Sequence, residues 1–591
     1  MAGLTFIGFL TPAQAEDYYY PWPEFDTFAN HNQWAYRAVR APQAHQLGVT
    51  GQGIKIAILD DGLASTDPKL RDKVIAYKDF VSGRFVEAEH GTMVASTIAS
   101  DFNAEVGIGG VAPGVSIMVA RVCHYNGCEH NAIRQAVAWA VASGADIISE
   151  SFTGYTDTYM HAMYRSAIEK GVVVVTSMGN SGCRPYYFER LDYGCLDGKI
   201  REDTQGRYPI AGLMAVSATD PDDGRVNTSG WGSGWGPNND IAAPGFETSA
   251  YDSFGPSNGF GGTSASAPLV AGVAALILSI KPDLTPAQVQ AVIQASARKP
   301  VEIKPKVWDS CAKDEQTGKW SCNNIIDSTL PQQYFTGAGI VDAEAAVRLT
   351  REIVSGTLIP ASEFTQSGKT LTITWPNGPA DLYLNSRLVA RDVSTGYQYQ
   401  GYENQSVAIQ IRQNNRSSIP TIAMISDPVD VEQPVVYQLW SRNSSDAGLG
   451  SGLAIAFEVV HTPTLRDNIW KKVSPWDLEH PEFAGIFEFD DGEIAPCRGS
   501  NSPENIYFIC PYVKEKLEVS GRFRLIGKDS RLSPYSEVKT ALFTKAKQDF
   551  PLEVSYLNSG LPVISWQSQP GASSYKYRWQ AEYQYFCTTE T

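Results

Sequence analysis

At 591 residues and a formal net charge of −16, the chain exceeds one ordinary domain and is too acidic to favour nucleic acid, whose phosphates call for a basic surface. Apolar residues at 43% and charged residues at 19% exclude wholesale disorder and suit a large core with accessory modules.

The apolar run Leu4 to Leu10, followed by the small-x-small Ala13-Gln14-Ala15, predicts a signal peptide over 1–15. A disordered tail is the alternative, because a basic lead-in is lacking. An N-terminal extension, 16–31, follows. From about Gly53 to Leu349, short β-rich apolar runs alternate with helix-like segments. IKIAILDDG, ADIISESF and GVVVVTSMGN read as buried parallel strands; NAIRQAVAWAVASG and TPAQVQAVIQASA read as amphipathic helices. The alternation predicts an α/β fold, a doubly wound parallel sheet. In such a sheet ligands gather at the carboxyl ends of the strands, so chemistry is sought just after them.

Beyond Thr350 the pattern turns to period-two alternation, with Leu371, Ile373 and Trp375 and then Val407, Ile409 and Ile411, which predicts an all-β module over 351–462. A β-rich region, 463–545, comes next. Over 546–591, Trp566 and Tyr575 give the segment a resemblance to the opening strands of a fibronectin type III domain. No stretch keeps the uninterrupted apolar length of about 18 to 20 residues that a membrane span needs.

Of nine cysteines, all but Cys587 fall into close pairs: Cys123 with Cys128, Cys183 with Cys195, Cys311 with Cys322, Cys497 with Cys510. Short-loop disulfides in an extracytoplasmic compartment are the natural reading. Zinc is the rival, but no CxxC pair or histidine cluster accompanies them. Cys587 is left as a free thiol or the partner of a cysteine outside this sequence.

In GFGGTSASAPLVAGVAALIL, a glycine-rich turn opens a long apolar helix through Ser264. A serine there serves as an N-cap, or as a nucleophile at the positive end of a helix. The second role needs a base and a carboxylate. IAILDDGL puts Asp60 at a strand end, and EHGTMVAS puts His90 at a helix start. A serine hydroxyl is a poor nucleophile until an imidazole takes its proton, and the imidazole needs a carboxylate to fix its tautomer. Singly, Asp60 reads as a turn residue and His90 as an ordinary helix residue. Together, in the order Asp, His, Ser, they match the subtilisin triad.

On these motifs, joined by GVAPGVSI, ADIISESFTG, GVVVVTSMGN, IAAPG and GAGIVDAEAAV, the segment 32–349 resembles the catalytic domain of a subtilisin-like serine peptidase. The resemblance implies a serine endopeptidase acting on proteins or peptides through an acyl-enzyme, with no cofactor needed for the chemistry. It gives Asn180 the place of the side-chain oxyanion donor and makes Ser151, Phe152, Thr153 and Gly154 the substrate-binding strand. Asp61 directly after Asp60, SASAP around the serine, and an appended β module lean toward the kexin and furin branch, whose P domain is a jelly roll. That branch implies a preference for basic residues before the cut. The acidic residues Asp192, Asp197, Glu202 and Asp203 either line a pocket for such a side chain or form a solvated loop.

SFTG stands where that branch has SWGP, so a broad-specificity subtilase is the alternative. An inactive scaffold binding surfaces through its β modules is a more distant one. The family's strong calcium site uses an aspartate in HPDL, whereas this chain has DPKL with Lys69 in that place. A cation there repels calcium; Asn103 is a further candidate ligand, and no metal site is assigned. Only 16–31 separates Ala15 from the match, shorter than the prodomain of many secreted subtilases. This implies that the C-terminal β modules or a separately encoded chaperone assists folding.

Overall fold

The structure is a computed structural model. It describes residues 34–425 except 82–87, 125–126, 153–157, 181–209, 229–230, 301–305, 314–319, 327–330, 403–404 and 415. From 436 to 590 it describes separate stretches, mainly strands. Side chains over 301–330 and in much of the later region are outside the description.

Seven strands form one sheet: β1 (Lys55–Asp60), β2 (Val74–Asp79), β3 (Ser116–Arg121), β4 (Ile147–Glu150), β5 (Val173–Ser177), β6 (Leu213–Thr219) and β7 (Ile241–Pro244). Their order is β2-β3-β1-β4-β5-β6-β7, and each neighbouring pair is parallel. Alternate side chains therefore enter two different cores. Ile56, Ile58, Ile117, Val119, Val173 and Val175 face one; Ala57, Leu59, Met118, Ala120, Ile148 and Val174 face the other. A parallel sheet covered on both faces needs apolar residues at both parities, which explains the unbroken apolar runs in the sequence.

Helices α1 (Glu89–Ala99), α4 (Thr263–Ile280), α5 (Pro286–Ala295) and α6 (Ala343–Ser355) pack against the first face. Helices α2 (His130–Ala142) and α3 (Thr158–Glu169) pack against the second. Helix α4 is 18 residues long and reaches the length and hydropathy of a membrane span, with 83% of that window buried inside the protein. The expectation from the sequence missed this. Burial assigns α4 to the core: Ala271, Val273, Ala274, Ala275 and Ile277 are inaccessible to solvent.

The α5 N-terminus is a capping box. Thr285 accepts from Gln288 N, and Gln288 returns the bond to Thr285 N. Beyond α6 come a three-stranded sheet (Glu363–Ser367, Thr370–Thr374, Gly396–Gln400) and a larger one built on Ala380–Leu384, Arg387–Val393, Gln405–Gln413 and Thr421–Ile425. Leu371, Ile373, Trp375, Val407, Ile409 and Ile411 form their shared core. This module docks on α5 through a buried polar network. Asp240 accepts from Ala215 N at 2.8 Å and Gln290 Nε2 at 3.2 Å, and also from the Ser406 hydroxyl of the module. Gln294 Nε2 reaches Ser406 Oγ at 2.8 Å.

A further antiparallel sheet includes Ala484–Phe489, Ile494–Gly499, Ile506–Tyr512, Val436–Asn443 and Leu453–Val459. Its Glu488 lies 3.2 Å from Lys170, and Arg524 pairs with Glu169 at the end of α3. The remaining unit, 514–519 with 541–591, contains the antiparallel pairs Glu553–Tyr556 with Pro562–Ser565 and Tyr575–Ala581 with Gln584–Glu590. Trp566 lies outside the described residues.

Candidate active site

Asp60 ends β1 at its carboxyl end and is buried. Its Oδ1 lies 2.8 Å from His90 Nδ1 and also accepts from Asp61 N at 2.8 Å. A carboxylate accepts the hydrogen bond, so Nδ1 carries the proton, and the deprotonated form of His90 presents Nε2 as a base. Burial drives the imidazole toward its neutral form. The charge and hydrogen bond of Asp60, with Asp61 and Glu89, outweigh that and raise its pKa to about 9. Phe260 packs edge-on against the ring at 5.8 Å.

His90 stands in the first turn of α1, whose N-cap residue, Ala88, supplies no side-chain bond. Asp61 takes over: its Oδ1 accepts from Gly91 N at 2.7 Å and its Oδ2 from His90 N at 3.3 Å. Burial, then the charge of Asp60, push the Asp61 carboxyl up to about 6 against the pull of these amides. Only glycine fits at 91, since a Cβ there would sit 2.1 Å from Gly62 O. The close approach sets His90 against Asp60.

Ser264 is the second residue of α4 and is 9% exposed. Its hydroxyl does not cap the helix; it donates to Ser151 O at 2.9 Å, while Ser151 Oγ donates to Ser264 O at 3.0 Å. The reciprocal pair ties the start of α4 to the end of β4. Phe260, which precedes the turn into α4, packs on His90.

Asn180 follows β5. Its Oδ1 accepts from Thr263 N at 2.8 Å and from Thr263 Oγ1 at 3.0 Å. A backbone N–H can only donate, so the amide oxygen faces Thr263 and Nδ2 points away from it. Gly262, at φ 87°, permits the approach: a Cβ on it would lie 2.5 Å from Nδ2. Thr263 Oγ1 also accepts from Gly179 N at 3.0 Å. Thr263 is thus a support that the reading of the sequence missed, and its only signal was its place before the serine.

On the strand expected to bind substrate, Ser151 is buried and Phe152 half-buried, with Phe152 O accepting from Ser177 Oγ at 3.1 Å. Thr153 and Gly154 lie outside the described residues, as do Cys183, Cys195 and the acidic residues Asp192, Asp197, Glu202 and Asp203. Glu150, also missed, is fully buried and accepts from Tyr164 OH at 2.7 Å; burial pushes it up to about 8 despite that bond.

Cys123 and Cys128 form a disulfide across a short hairpin. Cys311 stands opposite Cys322 in an antiparallel pair. Cys497 is buried and disulfide-bonded; Arg498 beside it faces Ile509, the neighbour of Cys510.

Among the described residues no group of three or more His, Cys, Asp and Glu is placed to hold a metal. Asn103 is engaged with Tyr251 OH at 3.0 Å and Glu105 N at 3.0 Å. Lys69 Nζ lies 3.8 Å from Asp101. Lys73 does more: its ammonium donates to Ala99 O, Asp101 Oδ1 and Pro113 O, each at 2.6 Å. An ammonium among these three oxygens keeps a calcium ion from them.

A model described as the subtilase family, Peptidase_S8, matches residues 51–323. The chain is 31% identical over 330 residues to M-protease of Shouchella clausii (strain KSM-K16), covering 55% of this chain and 72% of that protein. Over 320 residues it is 32% identical to Subtilisin Savinase of Lederbergia lenta, covering 53% of this chain and 98% of the relative. Among solved structures, that of a cold adapted subtilisin-like serine proteinase is similar at 26% identity, with a TM-score of 0.36 and coverage of 42% of this chain and 84% of that one.

Proposed function

The chain belongs to the subtilase family and is a serine endopeptidase, and from that premise we propose that Asp60, His90 and Ser264 cut peptide bonds with Asn180 as oxyanion donor. The hydroxyl of Ser264 turns from Ser151 O toward His90 Nε2, gives up its proton there and attacks the scissile carbonyl. Asp60 holds the Nδ1 proton and stabilises the imidazolium. The oxyanion forms against Asn180 Nδ2 and the Ser264 amide, which lies in the first helical turn where amides lack intrahelical partners. His90 then protonates the departing amine, and the acyl-enzyme is released by water. The observation that carries this reading is the 2.8 Å bond between Asp60 Oδ1 and His90 Nδ1.

The substrates are proteins or peptides paired as an added strand with the Ser151–Phe152 segment. We propose secretion, supported by the Cys123–Cys128 disulfide, a bond typical of oxidising compartments. A basic preference before the cut is supported by Asp61 directly after Asp60 and SASAP around Ser264, the motifs that lean toward the kexin and furin branch. The broad-specificity reading is favoured by SFTG in place of SWGP.

The test is hydrolysis of fluorogenic peptides differing only in the residue before the cut, with Ser264→Ala as control. Arg and Lys peptides are expected to be cut fastest, and the control to be silent. Equal rates on apolar peptides would replace the basic preference with the broad one. Failure of a fluorophosphonate to label Ser264 would overturn the triad and leave an inactive scaffold.

A further inference from the structure

Two aspartates follow each other at the end of β1, and only Asp60 touches the imidazole. Asp61 instead accepts from the backbone amides of His90 at 3.3 Å and Gly91 at 2.7 Å. These belong to the first turn of α1, where amides otherwise lack partners. The cap comes from a residue distant in sequence and lands on the backbone of the residue that carries the imidazole. The packing leaves little slack: a Cβ at Gly91 would meet Asp61 Oδ1 at 2.9 Å and Asp60 Cβ at 3.1 Å.

We propose that Asp61 is a positioning residue for the peptidase reaction, fixing His90 through two backbone amides and adding a second negative charge that makes the imidazole a stronger base. The inference rests on the reading of His90 as the proton carrier. Charged and titratable groups face this corner from each element packed there. Asp60 comes from β1 and Glu89 from α1, and both raise the basicity of His90. Arg121 stands opposite Asp60 in the β1–β3 register, with its guanidinium paired to Asp79 of β2 at 2.7 Å. Tyr77 of β2 brings its hydroxyl within 3.1 Å of the Cβ position at Gly62. Among the described residues named here, the cation Arg121 is already paired. Asp61, which titrates near pH 6, is an anion above that pH and adds to the field on His90.

Asparagine and alanine separate the two parts of the role. Asp61→Asn removes the charge and keeps one acceptor oxygen; Asp61→Ala removes both. The first experiment titrates the His90 ring by NMR in the catalytically silent Ser264→Ala protein, with and without Asp61→Asn. The second measures kcat and KM against pH for the two single variants. Asp61→Asn is expected to lower the His90 pKa by roughly one unit in the titration and to move the acidic limb of kcat/KM equally. Asp61→Ala is expected to lower kcat roughly 10- to 100-fold, with KM changed far less, as for a misplaced catalytic group.

A cap with no catalytic part would lower the melting temperature of both variants and leave the His90 pKa in place. That result overturns the proposal. A protein inactive on every peptide, but with a His90 pKa that falls in Asp61→Asn, would overturn the peptidase roles on which the proposal rests and leave the coupling between the two side chains standing.

Discussion

At the scale of single residues, the site separates groups that react from groups that aim them. Asn180 can donate to an oxyanion only if its amide is turned the right way, and the two bonds from Thr263 dictate that turn. Asn180→Ala is expected to cost roughly 100- to 1000-fold in kcat with little change in KM, the range known for subtilisin's side-chain oxyanion donor. Thr263→Val keeps the backbone bond and removes the hydroxyl, so about a 10-fold loss is expected, within the range for a slightly misplaced group. Steady-state kinetics on one good peptide checks both; a Thr263→Val enzyme as fast as the parent would show that the backbone bond alone aims the amide.

Glu150 yields a different expectation, for stability. Its folded pKa of about 8 lies above the ordinary 4.5. Its contribution is therefore complete below pH 4.5 and is lost as pH rises through 8. Glu150→Gln keeps an acceptor for Tyr164 and cannot ionise. The melting temperature of the parent should fall more steeply than that of the variant between pH 4.5 and 8 and run parallel to it above that, and parallel curves throughout would disprove the assignment.

At the scale of elements, the central sheet was legible because a parallel strand covered on both faces needs apolar residues at both parities, and the runs Ile56–Leu59, Ile147–Ile148 and Val173–Val175 supply them. The β module was legible for the opposite reason, its alternation at Leu371, Ile373 and Trp375 marking one buried face per sheet. Asp60, His90 and Ser264 were legible because each sits at the edge of an element with its own local signal. What pattern does not carry is proximity between distant segments. Lys73 looks like any lysine between a helix and a strand, yet it binds Ala99 O, Asp101 and Pro113 O. Asp61 reads as half of a turn, and its capping of α1 appears only when the two are brought together.

Lys73 therefore serves as a staple between the start of β2 and the segment joining α1 to β3. Replacing it with methionine preserves much of the stem and leaves two carbonyls and a carboxylate without their donor. Lys73→Met is expected to lose about 1–3 kcal/mol of stability, measured by denaturant unfolding, with kcat unchanged in the protein that remains folded. A variant as stable as the parent would show that these oxygens are satisfied without the ammonium.

At the scale of the whole molecule, the β module that follows α6 is bound to the catalytic fold by more than a linker. Asp240, just ahead of β7, is buried, and burial pushes it up to about 7 even though Ser406, Ala215 N and Gln294 pull it down. A buried carboxyl is tolerated only where its oxygens are satisfied, and one of its partners, Ser406, belongs to the module. The catalytic fold therefore carries a polar group that is completed by a residue from outside it. Ser406→Ala removes that hydroxyl from both Asp240 and Gln294, with an expected cost of about 1–3 kcal/mol.

If the module braces the catalytic fold, the cost must appear as a lower temperature of peptidase inactivation, although Ser406 lies far along the chain from His90 and Ser264. Thermal inactivation followed alongside calorimetry checks this. Activity lost at a lower temperature, together with the main calorimetric transition, is the expected outcome. Should activity persist to the parent's temperature while a separate transition moves down, the module unfolds by itself and the buried network does not support the catalytic fold. The direction of the pH effect is also determined. Asp240 favours its protonated form in the folded state, so the stability it contributes is complete below the ordinary aspartate pKa of 3.8 and is lost as pH rises through 7. Asp240→Asn should therefore flatten the decline in inactivation temperature of the parent between pH 4 and 7.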